Sequence, residues 1–307
     1  GIRMKKVELL SPAGNLEKLK IAFAYGADAV YGGVSHFSLR IRSGKEFTME
    51  TFKEGIDYAH ARGKKVYVTI NGFPFNAQLN LLKKHILTIA ALEPDALIVA
   101  SPGVVRLCNE LAPQIPIHLS TQANVMNYLD AQVFYDMGVR RIIAAREISL
   151  KDVMNIKEHL PDLEIEIFVH GSMCFAYSGR CLVSAVQMGR VPNRGSCAND
   201  CRFEYTLYAE GDHGTLFRLE EDPDVGTYIF NAKDMNMASA VDEILDSGAI
   251  DSIKIEGRTK SPYYAAVTAY AYRSAIDDYY EGKFDASIYQ RELHTTKNRG
   301  FTDAYLI

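Results

Sequence analysis

Two hydrophobic periods alternate along the chain. Short runs of β-branched and apolar residues predict strands, and longer stretches with apolar residues recurring every three to four positions predict helices. The first pattern falls on Lys6–Ser11, Ala27–Gly32, Lys65–Ile70, Asp95–Ala100, Ile115–Ser120, Val139–Ala144, Glu164–Val169 and Ser252–Ile255. The second falls on Gly14–Tyr25, Met49–Ala61, Gln78–Leu92, Pro102–Leu111, Tyr128–Met137, Leu150–His159, Met235–Asp246 and Ser261–Gly282. In the third of these helices Leu82, Ile86 and Ile89 make one face, and Ser149 is placed to cap the sixth. Glu204–Tyr208 and Thr215–Leu219, on either side of Gly211-Asp212-His213-Gly214, read as a hairpin, with Thr227–Phe230 a further short strand.

Eight strands, each followed by a helix, predict a (β/α)8 barrel of the TIM type. The alternative is an open doubly wound sheet, but no GxGxxG follows the first strand. The expected organisation is a barrel over 1–290 with a cysteine-rich insertion, 172–230, after the seventh strand. Residues 291–307 close no unit and read as the start of a truncated further segment.

Composition narrows the class. The chain has 307 residues, 48% of them hydrophobic and 23% charged, as a soluble globular protein would. The net charge of -4 announces no nucleic-acid partner, although a local basic face is compatible with it. No run approaches the ~20 apolar residues that span a bilayer. Five cysteines, one isolated, do not suggest a secreted disulfide scaffold, so a reducing cytoplasm is expected.

Cys174, Cys181, Cys197 and Cys201 are spaced C-x6-C, C-x15-C and C-x3-C, which is not the zinc-ribbon pattern. Glycines at 171, 179, 189 and 195 let the backbone wrap closely, and Arg180, Arg190, Arg194 and Arg202 would offset thiolate charge. Four thiolates suit a tetrahedral zinc or an iron–sulfur cluster, and the residues alone leave both open, beside a disulfide staple. Cys108, in VVRLCNEL, reads as a small buried apolar residue.

In a barrel, function gathers where the strands end. Those ends hold Asn15, Asn71, Gln122, Asn124, the pair Arg146-Glu147, His170-Gly171 and Glu256-Gly257-Arg258. A rim this polar predicts a ligand site. Arg40, Arg146 and Arg258 are candidates to clamp a carboxylate, or a phosphate, by bidentate contacts. Glu147 and Glu256 would orient those arginines or take part in proton transfer, with His170 and Glu256 the candidate catalytic pair. Asn71, Gln122, Asn124, Lys233 and Asp234 complete the expected substrate-binding set. Competing structural roles are caps or turns for Asn15 and Asn124, a core position for His170, an N-cap for Asp234, and simple packing for Tyr263 and Tyr264.

Glu166–Ser184, EIFVHGSMCFAYSGRCLVS, resembles the signature of the collagenase-like peptidase family U32. ELLSPAGNLEKLKIAFAYGADAVYGG, STQANV, KDMN and SIKIEGR resemble it too, so the likeness covers most of the chain. RGFT resembles the point where longer members continue into a small further domain. The nearest branch is that of prephenate-dependent tRNA uridine hydroxylases. The resemblance implies that the four cysteines hold a 4Fe-4S cluster, with zinc as the alternative. It also implies that tRNA is the partner, wobble uridine becoming 5-hydroxyuridine, and that prephenate, a dicarboxylate suited to the arginines, is co-substrate. Other members hydroxylate a ribosomal RNA cytidine or a ubiquinone precursor. The family name implies a peptidase, but no Ser–His–acid order, HExxH or aspartic dyad is visible. A four-thiolate zinc would have no open position for catalysis. A third reading is a subunit with a structural cluster that works with a partner, leaving a homo- or hetero-oligomer open.

Overall fold

The computed structural model describes residues 5–34, 46–70, 76–145, 147–172, 204–205, 221–222, 227–229, 234–257 and 261–298. The barrel strands are β1 (Glu8–Pro12), β2 (Ala29–Gly32), β3 (Lys65–Thr69), β4 (Ala96–Val99), β5 (Ile117–Leu119), β6 (Val139–Ile143) and β7 (Glu164–Ser172). Between β7 and the eighth barrel strand come β8 (Glu204–Tyr205), β9 (Glu221–Asp222), β10 (Thr227–Ile229) and β11 (Asp234–Asn236); β12 (Ser252–Ile255) is that eighth strand. The order β7-β12-β1-β2-β3-β4-β5-β6 is parallel throughout, and β6 pairs with β7 to close the ring. The expected (β/α)8 barrel is therefore the fold.

The helices are α1 (Leu16–Ala24), α2 (Met49–His60), α3 (Leu79–Ala91), α4 (Pro102–Leu111), α5 (Tyr128–Asp136), α6 (Leu150–His159), α7 (Val241–Asp246), α8 (Pro262–Tyr280) and α9 (Ala286–Asn298). Their starts are legible in local chemistry. The side chains of Asn15, Thr48, Asn127, Ser149 and Ser261 accept from backbone N–H groups of the first turn. Pro102 and Pro262 sit where a missing N–H is harmless. No described helix is long and apolar enough to cross a membrane.

Strand alternation sends one set of side chains outward to the helices and the other into the barrel. Leu9, Val30, Val66, Val68, Leu97 and Leu119 belong to the outer layer, against residues such as Leu19, Ile56 and Ile86. Leu10, Ala29, Tyr31, Tyr67, Ala96, Ile98, Ile143 and Phe168 form the inner cluster.

Beyond the barrel strands, one expectation is corrected and two details are added. Residues 234–236 are drawn into the sheet as β11, so the helix expected over Met235–Asp246 shrinks to α7, preceded by a 3-10 turn at Ala238–Ala240. In the 204–230 region the short strand expected at Thr227–Phe230 is β10, which pairs antiparallel with β8, inside the hairpin's expected first arm, and with β9. The hairpin's expected second arm lies outside the described residues. Finally, α9 was not expected; it spans position 290 and buries Tyr289 and Leu293.

Candidate active site at the carboxyl rim

The seventh strand overshoots the barrel. Beyond Phe168 its ladder with β12 shifts register, so that Ile255 faces His170, and the strand runs on to Ser172. There β11 returns antiparallel, pairing Asp234 with Ser172, Met235 with Gly171 and Asn236 with His170. The long insertion thus leaves and re-enters through one paired stem on the rim. Gly171 has φ +138°, and a Cβ on it would lie 2.6 Å from the Cβ of Glu256. Glycine is needed because β12 passes directly behind, where the Glu256 N–H donates to the His170 carbonyl at 2.8 Å.

All four insertion cysteines fall between Ser172 and Asp234 in sequence and lie outside the described residues. The fifth, Cys108, is buried on α4, and burial pushes its thiol up to about 12, so it is no candidate thiolate. Among the described residues no group of three or more His, Cys, Asp or Glu is arranged to hold a metal ion. The four cysteines expected to hold a metal belong to the segment between the two strands of the stem.

Of the other expected site residues, Arg40, Asn71, Arg146, Lys233 and Arg258 lie outside the described residues. Glu256 stands at the rim beside the stem, and the Tyr264 hydroxyl donates to its carbonyl at 2.9 Å, giving Tyr264 a positioning role beyond packing. Glu147 follows β6 and is half-buried. Gln122 is exposed in the 3-10 turn Thr121–Ala123. Asn124 ends that turn in the left-handed region at φ 60°, which accounts for an asparagine there on backbone grounds. Asp234 opens β11 and does not cap α7, whose N-cap is Ala240.

His170 is turned away from the barrel interior by the register shift. Its Nδ1 meets the Tyr272 hydroxyl on α8 at 2.9 Å, and that hydroxyl also donates to the Val169 carbonyl at 2.9 Å. The ring packs edge-on to Tyr272 and near Tyr264. This geometry suits a histidine that pins the stem to α8 better than one that transfers protons inside the barrel.

A family model, that of Peptidase family U32, matches residues 14–307. The chain belongs to peptidase family U32. A tRNA hydroxylation protein P from Helicobacter pylori (strain J99) is 68% identical over 305 residues, covering 99% of this chain and 72% of that protein. The Escherichia coli K12 protein of the same description is 42% identical over 342 residues, covering 99% and 75%. Among solved structures, that of the U32 peptidase Mk0906 superposes with a TM-score of 0.50 at 17% identity, over 82% of this chain and 94% of that one, a likeness of fold.

Two features of this U32 barrel were missed in the sequence. One is Lys254, read there only as part of the strand SIKI; its buried ammonium lies inside the barrel, 4.2 Å from the Tyr31 ring centroid and 4.8 Å from that of Phe168. A lysine between the two isoleucines of SIKI, at an inward position, was the available signal. The other is a charged layer below it. Arg141 donates to Glu8 at 2.5 Å, Glu166 at 3.1 Å and Glu164 at 3.4 Å, while Tyr67 and Ser252 donate to Glu8 at 2.5 and 2.8 Å. Burial raises the Glu166 carboxyl above its ordinary value, against the pull of Lys254 and Arg141. Glu164 also feels burial, but Arg141 and Lys5 outweigh it and hold its carboxyl down. His118, stacked edge-on to Tyr67, is kept neutral by burial and by the nearby cations Arg141, Lys65 and Lys254. These groups sit toward the amino ends of the strands, the end of such barrels associated with stability.

Proposed function

We propose that this chain is a tRNA-modifying enzyme of family U32, an RNA hydroxylase. The observation that carries the reading is 68% identity, along 99% of the chain, to a tRNA hydroxylation protein P. In finer detail, the proposed reaction converts wobble uridine to 5-hydroxyuridine with prephenate as co-substrate. The cofactor would be a 4Fe-4S cluster on Cys174, Cys181, Cys197 and Cys201, with zinc as the alternative occupant. When bound, such a cluster supplies electron-transfer or oxygen-activating chemistry.

The chain's own residues support this in three ways. The stem fixes both ends of the cysteine-bearing insertion at the rim, next to Glu256. Glu256, whose backbone is held at the rim by Tyr264 and by the His170 carbonyl, is the proposed group to take or give a proton on a substrate at the mouth. Arg40, Arg146 and Arg258 are the expected partners for carboxylates or for the tRNA backbone. An anticodon base suits a rim site, because it lies in a single-stranded loop and can be unstacked without opening a duplex. A tRNA substrate also agrees with the cytoplasmic location expected from the cysteine content.

Anaerobic purification followed by an absorbance spectrum and iron and sulfide counts tests the cofactor. The expected result is a brown protein that loses both its iron and tRNA hydroxylation in Cys181→Ala. A colourless preparation with full activity would refute the cluster. Nucleoside analysis of tRNA incubated with and without prephenate tests the substrates.

A further inference from the structure

We propose that Tyr272 is a positioning residue that locks a proton of His170 on Nδ1, so that any proton the ring gains or loses passes through Nε2, at the root of the cysteine-bearing insertion. The arrangement begins with the backbone. The register shift that pairs Phe168 with Lys254 and His170 with Ile255 passes over Val169 in the ladder with β12. The Val169 carbonyl takes two donors, the Met237 N–H at 2.9 Å and the Tyr272 hydroxyl at 2.9 Å. One donor for each lone pair satisfies it fully. Tyr272 is 0% exposed, and burial holds its phenol well above its ordinary value, against the pull of the Met237 amide, so the hydroxyl keeps its proton.

That single proton cannot serve two acceptors. The Tyr272 oxygen lies 2.9 Å from the Val169 carbonyl oxygen and 2.9 Å from His170 Nδ1. Pointed at the imidazole, the phenol proton would leave two buried oxygens at hydrogen-bond distance with no proton between them, which is costly. Pointed at the carbonyl, it leaves the phenol oxygen to accept, and Nδ1 brings the proton. Only this assignment makes both contacts hydrogen bonds. Edge-on packing against the Tyr272 ring, centroids 5.3 Å apart, and the Tyr264 ring at 6.1 Å hold the imidazole in that orientation. Fixing one ring nitrogen sets the role of the other. In the neutral ring Nε2 carries the lone pair and takes an O–H, an N–H or a metal ion; beside a carboxylate it carries the second proton. In either case the proton on Nδ1 stays with the phenol. Nε2 points away from Tyr272, on a residue two positions before Ser172, the last described residue of β7. One histidine therefore both pins the stem and gives the root of the insertion a nitrogen of defined character.

Nuclear magnetic resonance reads the tautomer directly. Proton–nitrogen correlation spectra of the anaerobically purified full chain, carrying isotope-labelled histidine, separate a protonated ring nitrogen from a bare one. The His170 signals are those missing from His170→Asn. The expected wild-type pattern is a protonated Nδ1, with Nε2 bare or protonated according to pH. A bare Nδ1 beside a protonated Nε2 at pH about 8.5, well above the ordinary imidazole value, would overturn the assignment. Tyr272→Phe removes the acceptor, and the His170 signals are expected to move toward the Nε2–H form, a change that loss of packing alone would not produce. Signals identical to wild type in that variant would show that Tyr272 does not set the tautomer. Should Tyr272→Phe fail to fold, the histidine side decides. The amide nitrogen of His170→Asn stands near the place of Nδ1, and that of His170→Gln nearer the place of Nε2. The thermal midpoint of His170→Asn is expected to stay closer to wild type than that of His170→Gln, and the reverse order would overturn the proposal.

Discussion

Arg141 joins three carboxylates inside the barrel while only 4% exposed, so its removal leaves Glu166 charged, or forced to protonate, in a place water barely reaches. Breaking such a buried group from one side costs about 3–5 kcal/mol, and Arg141→Met is expected to lose about that much. The loss should depend on pH. Burial already sets the Glu166 carboxyl above 4.5, and Arg141 is one of the charges holding it down, so in the variant it rises further. A raised carboxyl binds a proton in the native state that the unfolded chain has released. Its stabilisation is therefore present at low pH and lost as pH climbs through the native value. Glu164 acts in the same direction: its depressed value favours the wild type at higher pH, and Arg141 is the first of the charges responsible. The deficit of Arg141→Met, measured by urea unfolding, should be larger at pH 8 than at pH 5; equal deficits would show that the guanidinium does not govern these carboxyls. None of this was legible in VRRII. Arg140 is exposed and Arg141 buried, and two adjacent arginines do not say which one faces inward; the strand register decides. The same holds for His170, whose outward turn depends on a bulge that no residue type announces.

Elements were more legible than residues, and the exceptions share a cause. The eight barrel strands announce themselves because each carries apolar side chains on both faces, inward and toward the helices. Asp234-Met235-Asn236 has no β-branched residue and one apolar one, so nothing local marks it as a strand. It is a strand because β7 overshoots and offers it a partner, and that overshoot depends on Gly171. Gly171→Ala would force a side chain into φ +138° and against the Glu256 Cβ at 2.6 Å. Strain and overpacking together should cost roughly 2–5 kcal/mol. Gly33→Ala is the control, since a Cβ there meets nothing within 4 Å. Calorimetry should show a lowered midpoint for the first and a near wild-type one for the second. If the insertion holds the proposed cluster, the iron retained by Gly171→Ala should fall as well, because the ends of the insertion are no longer held together. If Gly171→Ala melts where Gly33→Ala does and keeps its iron, the stem is not the anchor of the insertion.

At the scale of the whole molecule, the helix ring is closed by α8 against α1, and α9 then doubles back over α8 and the turn at Ala238–Ala240. Its sequence, ASIYQRELHTTKN, gives little warning of a helix, since Tyr289 and Leu293 are the apolar side chains it buries. Those two lie four apart on one face, and Tyr289 is 0% exposed with its hydroxyl on Asp278 at 2.5 Å. Beside it, Gln290 exchanges hydrogen bonds with Asn236 at 2.8 and 3.2 Å, which ties the last described helix to the strand that carries the insertion back to the rim. The periphery and the site are thus mechanically one piece. Tyr289→Ala should cost about 3–5 kcal/mol, as loss of a buried ring does. It should also act at a distance: with α9 loosened, Asn236 loses its hydrogen bonds to Gln290 and the stem opens more often. Hydrogen–deuterium exchange would read this at the Met237 amide, which donates to the Val169 carbonyl at 2.9 Å, and along β11. Faster exchange there, with β2–β4 still protected, is the expected pattern. Uniformly faster exchange would mean that Tyr289 serves global stability alone, and that the rim does not depend on α9.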